Sequence, residues 1–199
     1  MFNPGYYTEN ELNDAGFKSI GKNVSIAKNC TIVGLSNISI GDNVRIDGYS
    51  SIIAAGSGYL TLGSFIHISS YCALFASNGI VMNDFSGLSQ GVRIYSATDD
   101  YSGKYLTNAT VPEKYTDVKK GEVELKKHVI IGSGSVILPR LTIGEGASVG
   151  ALSLVTKSLD SWGVYFGSPA KRLKTRSRDL LDLEKKLRKE IISEAHSIR

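Results

Sequence analysis

Two adjacent acids, Asp99 and Asp100, three histidines and two cysteines are among the groups in this sequence equipped for chemistry. A carboxylate can orient an acceptor and take its proton, and histidine can do so near neutral pH. The histidines, His67, His128 and His196, are scattered, the last of them in the tail. A catalytic zinc site needs three ligands converging on one ion. This spacing does not supply them, so no metal is expected. None of the three stands where the irregular segment described below leaves the repeats, and each reads as structural. Asp99 does stand there. On residue type alone, Asp99-Asp100 also fits a solvated turn and Ser89 a buried corner residue.

A repeat of six residues must position these groups. From Leu125 the sequence runs LKKHVI, IGSGSV, ILPRLT, IGEGAS, VGALSL. Leu125, Ile131, Ile137, Ile143, Val149 and Val155 lead successive hexads, and Val129, Ser135, Leu141, Ala147 and Ser153 hold fifth place. A unit this short cannot bury its apolar position alone, so the units must stack, which is the physical content of a β-helix. A period of 3.6 would scatter the same aliphatics around a helix surface. Upstream, Ile20, Ile26 and Ile32 lead one set of hexads. Short slips then separate Ile40, Ile46 and Ile52, next Leu62, Ile68 and Leu74, and finally Met82, Leu88 and Ile94. The slips read as surface bulges at coil corners. Cys30 and Cys72 also take fifth place, so both should point inward as free thiols, as suits a reducing compartment.

The length fits one domain with a continuous core, and 21 glycines against 21% charged residues favour a turn-rich β architecture. Residues 1–19 form an N-terminal cap. In it the capping box Thr8-Glu9-Asn10-Glu11 and the stop at Gly16 predict a short helix from Glu9 to Ala15. Residues 20–170 form the β-helix, interrupted by a loop at 97–121 that has no aliphatic rhythm. Loops of this length in a compact domain are usually functional or disordered, and Tyr101, Tyr105, Tyr115 and Pro112 argue against disorder. Residues 171–199 form a basic segment and a helix from about Arg178. Its stripe of Leu180, Leu183, Leu187 and Ile191 should pack on the coils or on a neighbour, and Glu184 precedes Arg188 by one turn.

The formal charge of +4 resides in that tail, where ten Lys/Arg face five Asp/Glu from Lys171 onward. This fits a local anion contact or a solvated helix, and not a nucleic-acid-binding stripe. No basic-then-apolar leader opens the chain, and Gly and Ser break every apolar run, so a soluble, cytoplasmic protein without membrane insertion is expected.

The hexads, the stretch Gly167-Ser168-Pro169-Ala170-Lys171 and the interrupting loop resemble the left-handed β-helix hexapeptide acyltransferases over nearly the whole chain. Within that family, the run IYSATDDYSG from Ile94 to Gly103 and the run Val149-Gly150-Ala151 are similar to nucleotide-sugar N-acyltransferases. They are most like those acting on dTDP-4-amino-4,6-dideoxyglucose in viosamine and anthrose pathways. The resemblance implies left-handed winding, against the usual rule for parallel crossovers. It implies a homotrimer with its sites in clefts between adjacent prisms, a nucleotide-sugar acceptor, acetyl-CoA or another acyl-CoA as co-substrate, and a place in O-antigen or surface-glycan synthesis.

The resemblance also implies roles. Asp99 would orient the sugar amine and accept its proton, assisted by Ser89 from the preceding coil. Arg93, Asp100 and Tyr101 would bind the acceptor, Arg93 through the sugar diphosphate. Gly132, Ser133 and Ala151 would line the path of the pantetheine arm. By charge, Lys157, Lys171 and Arg172 are candidates for the phosphates of CoA, and a surface role fits each of these cations, and Arg93, equally well. The chain departs from the wider family in one respect: many members that acylate hydroxyls carry a catalytic histidine at the start of the loop, and here there is none.

Attack of an amine on a thioester needs a neutral amine, an alignment device and donors for the developing oxyanion. Backbone N–H groups along a coil edge are natural donors. Other classes would leave other marks. A hydroxyl-directed O-acetyltransferase on the same scaffold would favour a loop histidine, and a β-helical zinc carbonic anhydrase needs three convergent histidines. An ice-binding β-helix shows ranks of Thr-x-Thr and lacks a long loop.

Overall fold

Stacking the hexads coil on coil aligns their aliphatic leaders in three columns, each carried by a parallel sheet. The computed structural model describes residues 4–197. On the first face Ile20, Ile40, Leu62, Met82, Leu125 and Ile143 stand in register. On the second stand Ile26, Ile46, Ile68, Leu88, Ile131 and Val149, followed by Tyr165. On the third stand Ile32, Ile52, Leu74, Ile94, Ile137 and Val155. All are buried except Ile20 and Ile32, which pack partly buried at the open end of the first coil. Each full burial contributes roughly 1.5–3 kcal/mol, so the columns are the core. The inner fifth-place residues follow suit: Val129, Ser135, Ala147, Ser153 and Cys72 are buried, whereas Cys30 is half-buried, and both thiols are free.

The corners turn on single residues in the left-handed region. Between the first and second faces these are Asn23, Asn43, Phe65, Phe85, His128, Gly146 and Trp162. Such a φ costs a side-chain-bearing residue about 1–2 kcal/mol, and the column recovers it by stacking. Asn23 donates to Asn43 at 3.2 Å, the Phe65 and Phe85 rings lie 4.7 Å apart, and Phe85 and His128 lie 5.2 Å apart. Where Gly146 carries no side chain, the Trp162 ring leans into the space. His128 is thus one rung of a ladder.

Both ends of the solenoid are covered. Helix α1 (Glu9–Asp14) starts at Thr8 with both bonds of the capping box and buries Leu12 beneath the first coil. Its C-cap is Ala15, and Gly16 follows at φ +89. At the other end Lys171–Thr175, read from sequence only as a basic segment, forms a strand antiparallel to Gly163–Phe166 and finishes the second face. Helix α2 (Leu180–Ser197) begins two residues later than the sequence suggests. Its Leu180, Leu183 and Leu187 line a groove with Phe65, Phe85 and Ile130. No helix among the described residues is long and apolar enough to cross a membrane.

Glu184 fastens α2 to the ladder. It accepts from Lys127 at 3.1 Å and Arg188 at 2.7 Å, and its other oxygen lies 2.7 Å from His128 Nε2. Burial alone would raise its pKa. The hydrogen bonds from Arg188, Lys127 and His128 outweigh that and hold it at about 2, against an ordinary value of 4.5. A depressed carboxylate stabilises the fold above its unfolded value and loses that contribution as pH falls through its folded value. Glu184→Gln should therefore lower Tm at pH 7, with the gap to wild type closing as pH falls from 4.5 toward 2. An unchanged gap at pH 3 in thermal melts would remove Glu184 from this role.

Candidate functional site

Every slip in the hexads falls at one corner, between a third-face leader and the next first-face leader. The slips after Ile32, Ile52 and Leu74 are short, and the one after Ile94 is the loop at 97–121. Its stem is a two-stranded ribbon, Ala97–Thr98 antiparallel to Lys119–Lys120. It is anchored where Gly121 N donates to Ser96 O at 2.9 Å. Further out, Leu106 N donates to Tyr115 O and a 3-10 turn spans Glu113–Tyr115. The loop is therefore a built arm. Tyr105, Leu106 and Tyr115 along it are exposed, and Tyr101 is 90% exposed. An arm carrying this much bare apolar surface suits contact with another molecule.

Asp99 stands at the root of the arm, directly after the ribbon strand. It is half-buried, and no hydrogen bond or ion pair engages its carboxylate among the described residues. Asp100 behaves differently. Its carboxylate accepts from Ser102 Oγ at 2.6 Å and Ser102 N at 3.0 Å, and the Ser102 hydroxyl holds its pKa below the usual range. One acid of the pair builds the turn and the other is left free to react, a distinction that the residue types alone do not make.

Ser89 lies at the corner between the second and third faces. Its backbone is fully used: N donates to Ile131 O at 2.9 Å, and O accepts from the Cys72 thiol at 3.3 Å. Its hydroxyl makes no hydrogen bond among the described residues. Here the structure corrects the sequence reading, which put Ser89 on the coil preceding Asp99. Both belong to one coil, on opposite sides of the strand Arg93–Tyr95. The four steps from Val92 to Ser96 span roughly 13 Å at strand rise, so within one chain the two side chains do not meet.

Gly132, Ser133 and Ala151 share the corner of Ser89, on the two coils above it. The glycine at 132 has a structural reason: a Cβ there would lie 2.5 Å from Ala151 N, so its smallness first serves the close stacking of two coils. Ser133 and Ala151 are exposed and leave bare backbone along the edge. The antiparallel return brings Lys171 opposite Phe166 at the top of this same corner, with Arg172 next to it. From Ser89 to Phe166 the edge climbs three coils, about 14 Å at the usual spacing between strands. Arg93 points outward from the third face between Ala73 and Val136, exposed and without an ion pair among the described residues. Lys157 follows the strand Leu154–Val155 and so lies at the arm's corner, across the third face from Gly132 and Ala151. The structure does not gather it with the other cofactor candidates.

Two of the three histidines are committed elsewhere. His67 Nε2 lies 2.8 Å from Asp47 on the second face, and His128 is held by the ladder and Glu184. The side chain of His196 lies outside the described residues. Sequence reasoning missed Tyr71 and Gly91. They occupy equivalent places after the leaders Ile68 and Leu88, beside Ser89, a match that the hexad frame contained.

No family model matches the chain. Over 179 residues, 90% of this chain and 93% of the relative, it is 42% identical to the dTDP-4-amino-4,6-dideoxy-D-glucose acyltransferase of Escherichia coli. The crystal structure of AntD, an N-acyltransferase from Bacillus cereus, in complex with dTDP and 3-hydroxybutyryl-CoA matches with a TM-score of 0.91 and 44% identity. That match covers 96% of this chain and 99% of the other. A serine-to-cysteine mutant of AntD has also been solved with dTDP-4-amino-4,6-dideoxyglucose and coenzyme A, with a TM-score of 0.91, 44% identity and coverage of 96% and 100%. Its solved forms include one altered at a serine and one altered at an aspartate ten positions further along.

Proposed function

The chain belongs to the dTDP-4-amino-4,6-dideoxy-D-glucose acyltransferases, and from that membership we propose how it transfers an acyl group from acyl-CoA to the amine of a dTDP-linked aminodideoxy sugar. The observation that carries the reading is the free carboxylate of Asp99 at the root of the arm, beside an Asp100 already spent on Ser102. The free hydroxyl of Ser89 stands ten residues before it, the spacing of the serine and aspartate altered in AntD.

Because Ser89 and Asp99 cannot meet within one chain, the site is shared. The protein is a homotrimer in which the arm of one copy brings Asp99 and Tyr101 to the Ser89 corner of its neighbour. The thioester lies at Ser89, and the pantetheine arm climbs the bare edge past Gly132, Ser133 and Ala151. The CoA phosphates reach Lys171 and Arg172. Arg93 takes the sugar diphosphate, since a guanidinium fork matches phosphate oxygens. Lys157, at the arm's own corner, serves the cofactor only across the interface. Asp99 holds the amine in line with the thioester carbon and accepts its proton as the C–N bond forms, directly or through the Ser89 hydroxyl, which takes the amine's proton as it gives its own to the carboxylate. The thiolate of CoA leaves and is protonated from solvent, and backbone N–H groups on the coil edge receive the oxyanion.

The choice of nitrogen over oxygen follows from acidity. A sugar amine has a pKa near 8, by analogy with α-amino groups, so freeing its lone pair at pH 7 costs about 1.4 kcal/mol. A hydroxyl near 16 would cost roughly 12 kcal/mol to ionise fully. A carboxylate with a reference pKa near 4 is an adequate base for the first task and a poor one for the second. The expected result is acylation of dTDP-4-amino-4,6-dideoxyglucose with no detectable transfer to the 4-hydroxy sugar nucleotide, measured by mass of product with several acyl-CoAs. Faster acylation of the hydroxy sugar would overturn the reading.

A further inference from the structure

The corner that carries Ser89 is built like the ladder at the other corner, but one rung is missing. Its left-handed residues are Tyr49, Tyr71, Gly91, Gly134 and Leu152, at φ 61, 63, 73, 70 and 57. From Tyr71 upward, Gly91 N donates to Ser70 O, Gly134 N to Gln90 O and Leu152 N to Ser133 O, so the residues stand one above another. Tyr49 and Tyr71 stack at 5.1 Å with their planes 7° apart. At Gly134 the Leu152 side chain fills the place of the absent one, coming within 2.8 Å of where a Cβ would be. At Gly91 nothing does so: a Cβ there would meet no atom nearer than Gly134 N at 3.8 Å. The upper face of the Tyr71 ring is therefore uncovered, and the residue is 55% exposed.

Glycine is not demanded here by the backbone, because tyrosine occupies the same conformation on the two coils below. It is not demanded by crowding either, as it is at Gly132. What its absent side chain leaves is a slot one rung high, with an aromatic floor, two residues from Ser89. We propose that this slot takes a nucleobase, which stacks on Tyr71 as the next rung of the ladder. The proposal rests on the acyltransferase reading, which brings two bases to the protein: the pyrimidine of the acceptor nucleotide and the adenine of acyl-CoA. Either is flat and suits a tyrosine face. The pantetheine arm has no flat ring and would gain nothing from it.

Gly91→Tyr replaces the missing rung. Its left-handed backbone strains any side chain, as it does at Tyr49 and Tyr71, but its Cβ enters open space and it takes the stacking place on Tyr71, so the variant should fold as those coils do, which a thermal melt checks. Titration calorimetry with dTDP, CoA and 4′-phosphopantetheine then reads the occupant. Loss of dTDP binding with CoA unchanged assigns the slot to the pyrimidine. Loss of CoA binding with phosphopantetheine unchanged assigns it to adenine. Tyr71→Ala should weaken the same ligand about tenfold, the scale of one base–aromatic stack. Full retention of both nucleotides by Gly91→Tyr overturns the proposal, as does equal loss of CoA and phosphopantetheine, which would put the arm in the slot. Wild-type protein that binds neither dTDP nor CoA would instead sink the acyltransferase reading.

Discussion

Asp99→Asn should lower kcat by about a hundredfold or more while leaving the protein folded and KM for acyl-CoA close to wild type. The substitution keeps the shape and removes the proposed base, and general-base catalysis by a positioned side chain is typically worth at least that factor. Nothing in the fold depends on the charge, since no bond among the described residues engages the Asp99 carboxylate. A stability loss therefore offers no alternative explanation. Asp100→Asn is the internal control. Its carboxylate serves Ser102, so the change should loosen the turn and raise KM for the sugar nucleotide more than it lowers kcat. Ser89→Ala should be milder than Asp99→Asn, because water can carry the proton that the hydroxyl is proposed to relay. Steady-state kinetics at saturating acyl-CoA separate these cases. Normal kcat in Asp99→Asn alongside an inactive His67→Asn would move the chemistry to the pair His67–Asp47.

The hexad leaders were legible because burial of one aliphatic per six residues is a property of sequence alone. All eighteen named from the pattern stand in their three columns, from Ile20 to Val155. The capping box at Thr8 was legible for the same reason: both of its bonds are local. What sequence could not supply is which corner a slip belongs to, since that depends on counting faces around the coil. The same count separates Ser89 from Asp99: ten residues are close in sequence, yet they straddle a whole face. The strand Lys171–Thr175 was hidden because every side chain in it is exposed. It forms to satisfy the last edge of the second face, which is a tertiary demand. Gly91 was visible as a letter but not as a gap, because a missing rung has meaning only once Tyr71 is known to lie beneath it.

The separation of Ser89 and Asp99 leads to the second large effect, which appears only when two defective proteins are combined. Asp99→Asn copies lack the base, and Gly91→Tyr copies have the corner slot filled. Each alone should be nearly inactive. If the arm of one copy serves the corner of its neighbour, a site is intact when its arm comes from a Gly91→Tyr copy and its corner from an Asp99→Asn copy. In the proposed trimer, a ring of two copies of one variant and one of the other contains one such neighbour pair among its three, so about a third of wild-type activity should return in the mixed trimers. If base and corner came from the same chain, every site would carry one defect and none would return. The geometry favours the first outcome: roughly 13 Å of extended chain between Val92 and Ser96, and an arm whose Tyr101 is 90% exposed in the single chain. Co-expression of the two variants with different affinity tags, tandem purification and an acyl-transfer assay give the measurement. Activity that stays at the level of the separate variants, in protein confirmed as mixed trimers, would return the whole site to a single chain and require the arm to fold back over its own third face.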